Sequence, residues 1–151
     1  MPDVFISFSA ADQQIAGFVH DHLEAQGISV FSAAVSINPG QQWTPQVFEN
    51  LTSAKWVVFL ASRAACASPY VQQEVGAAIV GKKTLIPIVW DMDVNQLPGW
   101  VAHYQVLNLN GKTFEDLKNE IIAIARRLKQ DQMQGLVLFG LIFAGIAAFS
   151  K

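Results

Sequence analysis

The stretch Trp56–Ala61 (WVVFLA) limits what this chain can become more than any other. Six apolar residues in a row, without alternation, read as a strand buried on both faces. That is the situation of a central strand in a parallel sheet covered by helices. The flanks supply the partners such a strand needs. Asp3–Phe8 (DVFISF) is rich in β-branched and aromatic residues, and Ile28–Phe31, Thr84–Trp90 (TLIPIVW) and Gln105–Leu109 follow as further strands. Between them lie helical patterns. In Ala11–Gln26, Ile15, Phe18, Val19 and Leu23 share a face, and Gly27 stops the run. Thr44-Pro45 opens a second helix through a cap and a first-turn proline, with Val47, Phe48 and Leu51 inward. Ser68-Pro69 opens a third, from Tyr70 to about Gly81, and Thr113–Gln130 forms the last, with Leu117, Ile121, Ile124, Ala125 and Leu128 inward.

This alternation predicts an α/β fold, a parallel sheet with helices on both faces; the form expected is flavodoxin-like, doubly wound and five-stranded, of order 2-1-3-4-5. Pro87, inside the fourth strand, lacks a ladder donor, so a bulge or an edge is expected there. Ligands of such sheets bind outside the carboxyl ends of the strands. That rule selects Phe8–Ser9, the polar loop Ser32–Trp43 with its turn Asn38-Pro39-Gly40, and Ser62–Glu74.

The chain has 151 residues, a net charge of -2, 15% charged and 52% hydrophobic residues. Charge is well below the roughly 25% of an average domain. The balance argues against nucleic acid as a partner, which calls for a basic excess. The surplus of apolar residues sits beyond residue 131. Residues 132–150 carry no charge, and Gly135–Phe149 has no polar side chain. A helix of that length rises about 28 Å, close to the hydrocarbon core of a bilayer. Arg126, Arg127 and Lys129 precede it and Lys151 follows, which predicts that the domain stays on the cytoplasmic side. The expected organisation is a domain over residues 1–131 and a hydrophobic C-terminal helix over 132–151, anchored in a membrane or buried in a soluble oligomer. Met1-Pro2-Asp3 shows no basic leader, and one cysteine, Cys66, allows no internal disulfide. A reducing cytoplasm is expected.

No glycine-rich phosphate cradle follows the first strand; Ser9-Ala10-Ala11-Asp12 is neither dinucleotide fingerprint nor P-loop. No set of residues has metal-ligand spacing, and His20, His22 and His103 read as surface or edge residues. Hence neither a metal nor a resident cofactor is expected. Cys66 precedes a helix but lacks an activating partner. Glu74 stands apart as the one carboxylate between Ala64 and Val80, with Tyr70 four residues earlier on the same helix face. Pattern alone also allows a solvated helix residue there.

In order along the chain, Asp3–Ser9 with Asp12, then Val30-Phe31, Ile37–Gly40 and Trp43, then Val57–Ser62, and finally Ser68-Pro-Tyr-Val-Gln-Gln-Glu74 resemble the boxes of a Toll/interleukin-1 receptor (TIR) domain of the short bacterial kind. The resemblance covers Asp3 to about Lys129. It implies an enzyme that splits NAD+ between nicotinamide and ribose, with NAD+ as substrate, Glu74 as the catalytic group, and Phe8, Ser9, Asn38, Trp43 and Tyr70 around the substrate. Water as acceptor gives ADP-ribose; an internal acceptor gives a cyclic ADP-ribose. It further implies self-association through the loop Ser36–Gln42, and a role in antiviral defence. Neutral Ser9-Ala10 stand where some NAD-cleaving members carry arginines, and Ala33-Ala34 where an acidic residue is frequent. A non-catalytic adaptor that works by TIR–TIR assembly is therefore the second expectation.

Overall fold

The computed structural model describes residues 2–32 and 45–149, with the backbone alone at 70, 102 and 134–149. Five strands, β1 (Val4–Ser7), β2 (Val30–Ser32), β3 (Trp56–Leu60), β4 (Thr84–Val89) and β5 (Leu107–Asn108), form one parallel sheet. Their order, β2-β1-β3-β4-β5, is the expected one. The helices are α1 (Gln13–Ala25), α2 (Pro45–Ser53), α3 (Arg63–Cys66), α4 (Pro69–Val80) and α5 (Phe114–Phe149). β1 and β3 are buried at every position, as the apolar run of β3 and of Val4–Ile6 requires; Ser7 is the polar exception.

Alternation along the strands sorts the core into two layers. On one face Val4, Ile6, Val58, Leu60 and Ile88 meet α1 and α5 through Ala16, Val19, Leu23, Leu117, Ile121 and Ile124. On the other, Phe5, Val57, Phe59 and Leu85 meet α2, α3 and α4 through Val47, Leu51, Ala65, Val71, Val75 and Ala78. The end of α1 is set by Gly27, whose φ of 81° suits a residue without a Cβ. Gly27 N–H donates to the Glu24 carbonyl at 2.9 Å and Ile28 N–H to that of Leu23 at 3.1 Å. These two bonds close the helix in a Schellman turn and deliver the chain to β2.

Of the two forms expected at Pro87 the edge is the one found, and two other expectations are corrected. Pro87 causes no bulge: the register runs unbroken from Trp56↔Thr84 through Phe59↔Pro87 to Leu60↔Ile88. The Ile88 carbonyl bonds toward β3 and that of Val89 toward β5, so position 87 faces the β5 side. β5 pairs only with Ile88 and Val89, and the proline therefore sits where no ladder donor is wanted. The last strand is shorter than Gln105–Leu109. Finally, the C-terminal segment is not a separate helix; α5 continues through residue 131 as a single 36-residue helix. Nothing between Gln130 and Gln134 stops a helix, since the stretch holds neither proline nor glycine. Among the described residues no helix is long and apolar enough to cross a membrane. Most side chains of the expected span 132–150 lie outside those described. So does the loop Ser36–Gln42, with Asn38, and Trp43 beyond it.

Candidate functional site

α4 begins where Ser68 caps the amide of Val71 and Pro69 occupies the first turn. Its inward stripe is Val71, Val75 and Ala78, all buried. Glu74 falls on that stripe, three residues after Val71 and four before Ala78. A carboxylate thus occupies a position the helix otherwise gives to the core, and it is only 2% exposed. Opposite it, at the carboxyl end of β1, Ser7 is fully buried and shares a face with Phe5. Ser7 Oγ donates a hydrogen bond of 2.6 Å to Glu74 Oε2.

Burial raises the Glu74 carboxyl to about 7, against the lowering effect of the Ser7 hydrogen bond. Loss of hydration disfavours the charged form, and one neutral donor restores part of it. Near neutral pH this group therefore exchanges its proton readily. When ionised it is a negative charge in surroundings of low polarity, where its pull on a nearby cation is strong.

A second polar group closes the carboxyl edge beside it. Ser62, fully buried at the end of β3, donates to Asp12 Oδ2 and caps α3 by accepting from the Ala65 amide at 3.0 Å. Asp12 is raised by burial, lowered by Ser62 and raised by Asp91. The Arg63 amide donates to Asp91 Oδ1 at 3.2 Å, and Arg63 Nε to the Asp91 carbonyl at 3.2 Å. The turns after β1, β3 and β4 are thereby tied together. A depression of about 520 Å³ opens farther along, lined by Trp90, Asp91, Asp93, Asn95, Asn108 and Asn110. Glu74 does not line it.

The residues selected from sequence divide. Ser9 is half-buried at the carboxyl edge, where its Oγ accepts from the Ala11 amide at 3.3 Å and starts the turn into α1. Phe8 also lies at that edge, but its ring, 7% exposed, packs in the α1/α5 layer, across the sheet from Glu74. Tyr70 is in the first turn of α4 and its side chain is outside those described. Asn38 and Trp43 lie outside the described residues. Ser7 has no role in the sequence reading, although it is the described partner of Glu74. The signal was present: in an otherwise apolar buried strand, a hydroxyl on an inward position needs a partner.

The remaining candidates have structural duties. His20 shares Nδ1 with Ser32 Oγ at 2.6 Å and Nε2 with Glu24 at 2.9 Å. His22 stacks on Phe18, ring centroids 4.1 Å apart. The Cys66 thiol is pushed up by burial and by Asp91, opposite to what a nucleophilic thiolate needs. Among the described residues no group of three or more His, Cys, Asp or Glu is placed to hold a metal ion.

A sequence model of the TIR domain matches residues 4–131. No curated protein matches. Among solved structures, the TIR domain of the Toll-related receptor TRR-2 from Hydra magnipapillata is similar, with a TM-score of 0.63 and 16% identity over 87% of this chain and 98% of that one. A TIR-STING receptor from C. gigas, in complex with 2',3'-cGAMP, gives a TM-score of 0.66 and 21% identity over 83% of this chain. This chain spans only 39% of that receptor's length. At such identities the likeness is one of fold.

Proposed function

The chain belongs to the TIR domain family, and on that premise we propose that it is an NAD+ nucleosidase with Glu74 as its catalytic group. One observation carries the reading: a carboxyl on the inward stripe of α4, 2% exposed and paired with a buried serine at the carboxyl edge. Fold stability offers no reason for it, because an apolar residue would serve better there. The chemistry does. In NAD+ the nicotinamide is a cationic pyridinium. When the bond from its nitrogen to the ribose carbon breaks, the electron pair goes to nitrogen and the base leaves neutral. No acid has to protonate it, so the second carboxyl group of ordinary glycosidases is dispensable. Positive charge develops on the sugar, and a fixed anion beside it lowers the barrier. Water then adds to that carbon and its proton passes to Glu74, giving ADP-ribose; attack by a group of the same molecule gives a cyclic product instead.

Burial of Glu74 supports activation by assembly. A neighbouring copy, docking through Ser36–Gln42, would open or complete the site around Ser9, Asn38, Trp43 and Tyr70. The test is nicotinamide release by clustered protein incubated with NAD+. Glu74→Gln should lower it on the order of 10³-fold with assembly intact; equal release by the variant overturns the assignment.

A non-catalytic assembly module is the second reading, and one observation favours it. Asp12 and Asp91 repel one another at the carboxyl edge, beside neutral Ser9 and Ala10. That edge holds negative charge where a diphosphate would call for positive. A wild type inert toward NAD+ in every assembled state would select this reading.

The uncharged run 132–150 supports attachment of the domain to a bacterial inner membrane, facing the cytoplasm, as part of the same proposal. Removing residues 132–151 should shift the protein from the membrane to the soluble fraction. A full-length protein already soluble without detergent leaves burial in an oligomer.

A further inference from the structure

We propose that Ser7 is a positioning residue for the reaction: held on a central strand, its hydroxyl fixes one carboxylate oxygen of Glu74 and leaves the other as the oxygen offered to the ribose. The inference rests on the nucleosidase reading and assigns the group that reading lacks, the one that orients its carboxylate. Both partners are at least 98% buried and their contact is 2.6 Å, so the pair has little room to adopt another geometry. The two ends are anchored independently. Ser7 sits on the interior strand β1, in register with Phe59 of β3. Glu74 is held by the neighbours Val71, Val75 and Ala78 of its own stripe. A hydroxyl is suited to the task because it donates without adding charge, and so does not quench the anion that the cationic sugar must feel.

Among the described residues this contact is the controlling one. β1, β3 and β4 turn Phe5, Val57, Phe59 and Leu85 toward the α4 layer, and α2 turns Val47 and Leu51 toward it; none of them titrates. The charged groups of the carboxyl edge, Asp12, Arg63 and Asp91, are engaged with Ser62 and with one another. Titration of Glu74 is moved by burial and by Ser7. Removing the hydroxyl should therefore raise the carboxyl further, since the bond favours its charged form.

The experiment compares wild type with Ser7→Ala and Ser7→Thr, each assembled as the active form is. For Ser7→Ala, kcat for nicotinamide release should fall about tenfold with KM for NAD+ little changed. The acidic limb of its pH profile should move up by about one unit, the size expected for a lost hydrogen bond to a charged group. Ser7→Thr, which keeps the hydroxyl, should return the limb to its place. A fall in kcat with the limb unmoved overturns the inference, because a merely structural serine would act that way. Should Ser7→Ala not fold, Ser7→Cys replaces a strong donor by a weak one at similar size and must move the limb in the same direction. The Glu74 carboxyl can also be titrated without substrate, by carbon NMR of glutamate labelled at that carbon. A rise of about one unit in Ser7→Ala, found together with an inert wild type, removes the nucleosidase reading and keeps the pairing. Absence of the rise overturns the pairing, whatever the activity.

Discussion

The two faces of one sheet are built to different rules. The buried part of the layer under α1 and α5 is apolar, with Val19, Leu23, Ile121 and Leu128 against Val4, Ile6 and Val58, and its polar pair His20–Ser32 is only part-buried. The layer under α2, α3 and α4 is as well buried, yet at its carboxyl end it holds Ser7 and Glu74, and Ser62 closes the strand beside them. The first layer does what burial rewards. The second accepts a group that burial penalises and, among the described residues, keeps it through one hydrogen bond. What differs between the faces is therefore the demand placed on them: α1 and α5 supply the stability against which α4 can hold an awkward residue. The same division places Phe8 on the stable face and Ser7, one residue before it, on the other.

This contrast can be broken in order of size. Ile121→Ala, at a fully buried position of the apolar layer, should cost about 4 kcal/mol through lost burial and the cavity left behind. Denaturant unfolding measures it, and a cost under about 1 kcal/mol would mean that this layer collapses around voids as a loosely packed core does. On the other face the effect should change sign. The folded Glu74 carboxyl lies near 7, above its ordinary 4.5. The native state thus holds a proton that the unfolded chain has released between those values. The contribution is fully present below about pH 4.5 and is lost as pH rises through 7. Over that window the wild type should lose about 3 kcal/mol relative to Glu74→Gln, which has nothing to titrate. Melting both proteins from pH 5 to 8 tests this; parallel curves would show that Glu74 is not desolvated in the native state.

The sheet was legible because its signals are redundant. Trp56–Ala61 declares a doubly covered strand, and the glycine after α1 and the Ser-Pro before α4 mark helix ends whose hydrogen bonds the structure then displays. At Pro87 bulge and edge stayed open, because sequence shows that a donor is missing and cannot show which neighbour the missing donor faces; the structure has the edge. The helix end expected at Gln130 misled for a related reason: polarity changes there, and the helix hydrogen bonds take no account of polarity. In the site, Glu74 was found by isolation and resemblance. Its place on the Val71–Val75–Ala78 stripe is the stronger physical argument, and it can be read from spacing alone. The hydroxyl of Ser7 was legible as a group in need of a partner, but the partner was hidden, because Glu74 reaches β1 only once α4 is laid across it, 67 residues later.

The smallest of these effects bears on how the edge is held rather than on what it does. Ser62 is buried like Ser7, and it too bonds a carboxylate, that of Asp12. Here the carboxylate is only partly buried and lies on a turn, and the serine also caps α3 through the Ala65 amide. Ser62→Ala should cost about 1–2 kcal/mol, the range of a lost helix cap together with a weakened surface-side bond. Because the Ser62 bond is what lowers Asp12 against burial and Asp91, the Asp12 carboxyl should rise in the variant. On the proposed nucleosidase reading, if Ser62 serves only to tie the turns after β1 and β3, the acidic limb of nicotinamide release should stay where it is in the wild type. A limb displaced as far as in Ser7→Ala would show that Asp12 and Glu74 titrate as one system, and that the polar edge is a single unit rather than a strut beside a site.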